Sequence, residues 1–264
     1  MPIKLCYFVR RKPTLSTPEF QKVWREVHGP LVASVQTPLN LVKYTQVLRQ
    51  NNPLDSLFDE SRSKLLCDEP KFDVLDEYVF AGSIKDFMGA YDSAEGKAAW
   101  KTLIKNEEEY VDFANSILFF TIEHNQIAAT PRADVIASDY NRIHRGVVLF
   151  EPAEGYGLAY WQCEHAALLR KWAEVIGYYK YQQNHPRKLD TAGVLERLQR
   201  DRGCKPSRFK IFTTFWMSLD VPQDDAMGRA TAEIQADELS GFITYGSGMI
   251  MVAKEIIFVD AYRV

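Results

Sequence analysis

Residues 23–32 read VWREVHGPLV and place an indole, Trp24, four residues before an imidazole, His28. At helical spacing both rings project from one face. An imidazole gains or loses a proton near neutral pH, which suits general acid–base work. Gly29 and Pro30 follow at once. Proline has no N–H and disfavours helical geometry in the residue before it. The pair predicts a kink or restart at Gly29, with carbonyls freed from their intrahelical donors. Through that opening a ligand or water could reach His28. The plainer reading is a half-buried His28 whose Nδ1–H satisfies a freed carbonyl and holds the kink. Trp24 is expected to pack, as a pocket wall.

Tyr44 joins His28 as the second catalytic candidate. A strand tyrosine facing a pocket can donate a hydrogen bond to a substrate carbonyl or enolate. Its other reading is a barrel aromatic with a satisfied hydroxyl. Tyr7 and Tyr78 are strand aromatics expected among the substrate-binding residues. His124 shares strand parity with Leu118, Phe120 and Ile122, so it too is a candidate for the pocket. Arg10 and Arg11 close the first strand and either meet an acidic substrate or form a solvated turn. His144 and His185 are expected in solvent, and Glu107 to Glu109 on a helix surface.

The chain repeats itself at a separation of 137. Trp24 meets Trp161, His28 meets His165, Leu31 meets Leu168, Lys43-Tyr44 meets Lys180-Tyr181, Gln46 meets Gln183 and Cys67 meets Cys204. Such self-similarity decides architecture. His165 and Tyr181 thereby enter as binding candidates of a second pocket. Because Ala166-Ala167 replaces Gly-Pro, His165 reads as a structural relic more than a working residue.

These residues need elements to hold them. Ile3 to Arg10 alternates like a strand. TLSTPEF opens a helix, with Ser16 or Thr17 as N-cap, Pro18 and an early Glu19. NLVKYTQVL and FDVLDEYVFAG read as strands joined by a polar loop. SAEGKAAWKTLIKNEEEYVDF is a helix and SILFFTIEHNQI a strand. The second half follows the same order. Each half is thus βαββαβ, the ferredoxin-like plan. The fold class is α+β, with residues 1–127 as the first half, 128–145 as linker and 146–264 as the diverged second half. Each four-stranded sheet would have one bare face, and stacking the two closes an intrachain barrel. The strand aromatics suit its interior.

Of the 264 residues, 46% are hydrophobic and 25% charged, with a net charge of -3. That balance lacks the basic patch expected of a nucleic-acid or anionic-membrane partner. No apolar run approaches a membrane span. The opening MPIKLCYFVRR lacks a signal-peptide core, so the expected location is cytoplasmic. Cys6, Cys67, Cys163 and Cys204 form no CxxC and read as reduced thiols. There is no GxGxxG, P-loop, GxSxG or metal-ligand spacing, so no cofactor and no metal are expected.

The segment YFVRRKPTLSTPEFQKVWREVHGPLV resembles the opening of EthD-like proteins of the dimeric α/β barrel superfamily. The likeness runs through KYTQ and SAEGKAAW and covers most of residues 3–127. The second half keeps Trp161 and His165 but loses Gly-Pro and the R-R-K-P segment. The resemblance implies a tandem member and a pocket between sheet and helices. It also implies chemistry like that of small tailoring enzymes of aromatic polyketide pathways in secondary metabolism. The expected function is therefore a cofactor-independent, lyase- or cyclase-type enzyme acting on a small, apolar, oxygenated molecule through an enol or enolate. The reaction would be decarboxylation, dehydration, cyclisation or isomerisation. The alternatives are a non-catalytic carrier of a hydrophobic ligand and a cofactor-free monooxygenase. Internal pairing leaves room for a homodimer of the two-repeat chain.

Overall fold

The computed structural model describes residues 3–128, 136–186 and 193–262. Within the expected linker, 129–135 lies outside the described residues, as does the 263–264 end of the expected last strand. The first half runs β1 (Ile3–Val9), α1 (Thr17–Val23), a π-helical turn (Trp24–His28), α2 (Gly29–Ser34), β2 (Leu41–Arg49), α3 (Pro53–Ser61), β3 (Val74–Phe80), α4 (Ile84–Asp92), α5 (Ala94–Glu107) and β4 (Ile117–Ile127). The second runs β5 (Ile143–Phe150), α6 (Gly157–Tyr160), a second π-helical turn (Trp161–His165), α7 (Ala166–Trp172), β6 (Tyr178–Pro186), α8 (Val194–Arg202), β7 (Ile211–Ser218), α9 (Asp225–Glu238) and β8 (Met249–Asp260).

The strands close one antiparallel barrel in the order β1-β3-β2-β8-β5-β7-β6-β4. Each half supplies four neighbouring strands. The halves meet where β2 pairs β8 and where β4 pairs β6. Side chains alternate between the lumen and the covering helices. Cys6, Phe8, Val47, Leu75, Phe119 and Phe212 fill one end of the lumen. The other end is ionic. Arg145 bridges Glu77 at 2.7 Å and Glu255 at 2.9 Å, and Lys4 also pairs with Glu77. Burial disfavours charge on Glu77, but Arg145 and Lys4 outweigh it and hold its pKa below the usual range.

The expected aromatic interior is corrected by this parity. Phe8 and Phe119 face the lumen, whereas Tyr7, Tyr44, Tyr78, Phe80 and Phe120 pack beneath the helices of the first half. Phe215 does the same in the second half.

The predicted start of α1 holds. Ser16 caps it, with a capping box closed by Glu19. The loop expected between β2 and β3 instead contains α3, capped by Asn52 with Pro53 in its first turn. That Asn-Pro start is the usual helix signature. Helix α3 crosses to the other half: Asp55 accepts the Val252 N–H of β8 at 2.8 Å. Helix α8 returns the exchange, and Gln199 donates to the Leu118 carbonyl of β4 at 3.0 Å. Each half is therefore completed by a helix from the other.

Candidate functional site

The break expected at Gly29-Pro30 does not occur. Gly29 is helical, with φ -56 and ψ -54, and α2 continues through Pro30. The irregularity lies one turn earlier, where the Gly29 N–H reaches back five residues to the Trp24 carbonyl. A π turn of this kind inserts one residue and shifts the hydrogen-bond ladder that Pro30 would otherwise break. The second half makes the same turn at Trp161–His165 without a proline. Gly29 has another cause. A methyl group there would lie 2.3 Å from the Phe258 ring of β8.

The repeated glutamine belongs to this device. Gln46 donates to the Trp24 carbonyl at 2.8 Å, and Gln183 donates to the Trp161 carbonyl at 2.6 Å. The recurring W-x3-H and K-Y-x-Q motifs thus join helix to sheet in each half.

In the first half Trp24, His28, Tyr44, Tyr7 and Tyr78 all converge between sheet and helices. Trp24 and His28 are stacked, with ring centres 3.9 Å apart. The Trp24 Nε1–H faces both oxygens of Asp76, at 3.1 and 3.0 Å. Tyr44 sits opposite Tyr78 in register, and Gln46 opposite Asp76. The Asn106 carbonyl oxygen lies 3.0 Å from His28 Nδ1. That oxygen only accepts, so Nδ1 carries the proton. Nε2 is then a bare lone pair, 3.8 Å from Asp76. Burial lowers the His28 pKa, and burial raises that of Asp76 well above its usual value. Arg202 of α8 closes the cluster with a two-pronged pair to Glu107, at 2.7 and 2.9 Å. Glu107 is wholly buried, which corrects its expected place on a helix surface.

This half-site is sealed. His28, Trp24, Tyr44 and Asp76 have no exposed surface. His28 Nε2, Gln46 Oε1, Arg202 Nη1 and the Tyr7 and Tyr78 hydroxyls are buried without a well-formed hydrogen bond.

The second half-site holds the matching residues and is less tightly closed, with His165 7% exposed. Tyr181 sits opposite Phe215, as Tyr44 sits opposite Tyr78. Val148 sits opposite Thr213, as Tyr7 sits opposite Asp76. Phe215, Val148 and Thr213 thus replace two tyrosines and an aspartate with smaller or less polar groups. A small cavity of about 40 Å³ lies among Trp161, His165, Tyr181, Thr213, Phe58 and Arg62. His165 Nδ1 is 2.7 Å from Asp237 Oδ2, and the Tyr160 hydroxyl donates to Asp237 Oδ1 at 2.5 Å. Burial works against charge on Asp237, but the His165 and Tyr160 hydrogen bonds lower its pKa below the usual value. The carboxylate holds the proton on Nδ1, which leaves Nε2 of His165 as the basic atom. Tyr181 lines the same cleft, and burial pushes its pKa up, so it remains a hydrogen-bond donor.

The remaining candidates lie elsewhere. His124 and His185 pack against each other at 4.1 Å, and the His185 ring is 5.1 Å from Trp161. His144 and His185 are half-buried, not solvent-exposed as expected. Arg10 pairs with Glu69 at 3.1 Å and Arg11 lies 3.7 Å from Asp73, so neither lines the cleft. Asp76, Asn106, Asp237 and the Arg202 and Arg62 pairs were missed from sequence. Asp76 left a signal: it shares strand parity with Val74, Tyr78 and Phe80, where a core residue is expected. Among the described residues no group of three or more His, Cys, Asp or Glu could hold a metal ion. No helix of the described residues is long and apolar enough to cross a membrane.

The closed eight-stranded antiparallel barrel, with helices outside, places the chain in the dimeric α/β barrel class. Residues 12–114 match the family model of the EthD domain. Two solved structures are similar over nearly the whole chain. One is an anthrone oxidase-like protein, with a TM-score of 0.53 at 12% identity, covering 98% of this chain and 94% of that one. The other is a monooxygenase candidate from Fusobacterium nucleatum, with a TM-score of 0.51 at 8% identity, covering 97% and 93%. At such identities the likeness is one of fold. No curated protein matches the sequence significantly.

Proposed function

We propose that the chain is an enzyme for a small, aromatic, oxygenated molecule of polyketide type, and that its second-half cleft holds the reaction. His165 Nε2 takes a proton from carbon beside a carbonyl, and the electron pair moves to the carbonyl oxygen as an enolate. Asp237 keeps the imidazole in the required tautomer and stabilises the imidazolium that forms. The Tyr181 hydroxyl donates to the enolate oxygen. The carrying observation is the His165–Asp237 pair at 2.7 Å in the wall of an apolar cleft. Decarboxylation, dehydration, cyclisation and isomerisation all follow from such an enolate. The names of the two similar folds favour a related outcome, in which O2 attacks the same enolate. We read the two runs of four strands as tandem ferredoxin-like units.

The sealed half-site supports a second reading, because its unpaired His28 Nε2 and tyrosine hydroxyls converge in one place. There His28 would be the base and Tyr44 the donor, with Tyr7, Tyr78 and Trp24 around the substrate, once the helices part.

One experiment separates the two. Loss of the α-proton signal of anthrones, 1,3-diketones and aromatic β-keto acids is followed by NMR in D2O, with dissolved O2 recorded in parallel. His165→Gln is expected to abolish enzyme-dependent exchange while His28→Gln retains it. The reverse result moves the reaction to the first half. Tight binding of these compounds with no exchange in any variant makes the protein a carrier. O2 uptake tied to exchange selects the oxidase outcome.

A further inference from the structure

Each half-site receives its arginine from the other half. Arg202 reaches Glu107 of the first, and Arg62, at the end of α3, reaches Glu238 of the second. The two pairs differ in access. The side chains of Arg202 and Glu107 are 2% and 0% exposed, those of Arg62 and Glu238 13% and 11%. Arg62 Nε lies 2.8 Å from Glu238 Oε2, and Nη2 donates to Oε1 at 3.2 Å. Its guanidinium also lies over the Phe58 ring, 5.3 Å from the centre.

Arg62 stands at a junction. It lines the inner cavity with His165 and also an outer groove of about 350 Å³ walled by Leu57, Leu219 and Met227. Phe58 and Tyr178 line both spaces as well. Tyr178 and Phe215 stack at 4.6 Å and 11°, which gives the inner space a flat wall. An arginine at such a mouth offers a planar, charged fork to a carboxylate. Glu238, whose side chain is 11% exposed, now occupies that fork as an internal competitor.

We propose that Arg62 reads the substrate, and that the substrate is an aromatic carboxylic acid. Its rings lie in the outer groove against Phe58 and Tyr178, and its carboxylate displaces Glu238 from Arg62 at the neck that leads to His165. The first half supplies this residue, so the second-half site is incomplete without it. This inference rests on the reading of the second-half cleft as the binding site.

The test is calorimetric titration of the full chain with 2-naphthoate and with 2-naphthalenemethanol, which share rings and differ in charge. Wild type is expected to prefer the acid by tenfold or more. Arg62→Met is expected to erase that preference and leave alcohol binding within twofold. Glu238→Gln removes the competitor and is expected to tighten acid binding severalfold. That second variant decides the matter if Arg62→Met does not fold. No preference in wild type, a preference that survives Arg62→Met, or acid binding unchanged or weakened by Glu238→Gln overturns the proposal. Binding needs no turnover. A chain that shows the Arg62-dependent preference without proton exchange loses the proposed reaction alone, and one that exchanges protons without the preference loses this inference alone.

Discussion

In the first half Trp24 gives its indole proton to a carboxyl, Asp76; in the second, Trp161 gives it to a hydroxyl, Thr213, at 3.2 Å. His28 faces an amide, Asn106, whereas His165 faces a carboxylate, Asp237. The backbone device is shared, down to the π turn and the glutamine on the tryptophan carbonyl. The repeated tryptophan and glutamine build the shared scaffold, and the unrepeated partners of the two histidines set local packing and charge. Bulky tyrosines and a buried acid close the first half-site. Smaller groups line the second, and a carboxylate there faces its histidine.

The largest expected effect is catalytic. His165→Gln should lower turnover by about 10²- to 10⁴-fold, the usual contribution of a general base. His28→Gln should leave turnover intact and lower stability. Steady-state rates on any compound that exchanges in D2O check both, and equal losses would erase the contrast between the halves.

The ion pairs come next. Arg202→Met strands Glu107 in a dry site and should cost about 3–5 kcal/mol in urea unfolding. Arg62→Met strands the slightly more exposed Glu238 and should cost less, about 2–3 kcal/mol. Similar losses would mean that the two pairs are equally sealed.

Gly29→Ala drives a methyl into the Phe258 ring and should cost about 1–3 kcal/mol. Its counterpart Ala166 already carries a methyl group, buried in the core, so Ala166→Gly combines helix propensity with the loss of that methyl, together about 1–2 kcal/mol. Thermal unfolding of the pair measures how far the close contact is confined to the first half.

Asp237→Asn makes the second half-site resemble the first. A fall in turnover of about tenfold or more, with a changed pH profile, is expected because the amide carries no charge to stabilise the imidazolium. Asp237→Glu should restore part of the rate, which a purely structural role would not require.

The smallest effect is on pH-dependent stability. Burial raises the Asp76 pKa in the folded state, so the native protein keeps a proton that the unfolded chain releases above about 3.9. Stability from this group therefore falls as pH rises from there toward the folded pKa. Asp76→Asn removes the penalty, so the Tm difference, variant minus wild type, should widen from pH 4 toward neutrality. His28 works the other way. Its lowered pKa means that the unfolded chain takes up the proton first, so its contribution is lost as pH falls through 6.5. A flat Tm difference for Asp76→Asn would place an ionised carboxylate beneath Trp24.

Much of the scaffold was legible. Period-two and helical patterns located the strands and most helices, and the repeat at 137 announced two related halves. Trp24, His28, Tyr44, Tyr7 and Tyr78 do gather in one place, because strand parity and helical spacing put them on facing surfaces. Helices α3 and α8 were passed over as polar loop and connection, although Asn52-Pro53 signals the first. The weight given to Gly29-Pro30 went astray for a physical reason. Local chemistry said that proline should break the helix, but a π turn absorbs it, and the ring of Phe258, distant in sequence, explains the glycine.

The sequence by itself determined the periodicities, the repeat and the residue types able to move a proton, since these depend on spacing within one element. Tertiary structure decided which histidine meets a carboxylate, which half-site is less tightly closed and which arginine crosses from the opposite half. Those outcomes depend on contacts between residues far apart in the chain: packing of α9 beside the second π turn brings His165 to Asp237, and closure of the barrel brings Arg62 to Glu238.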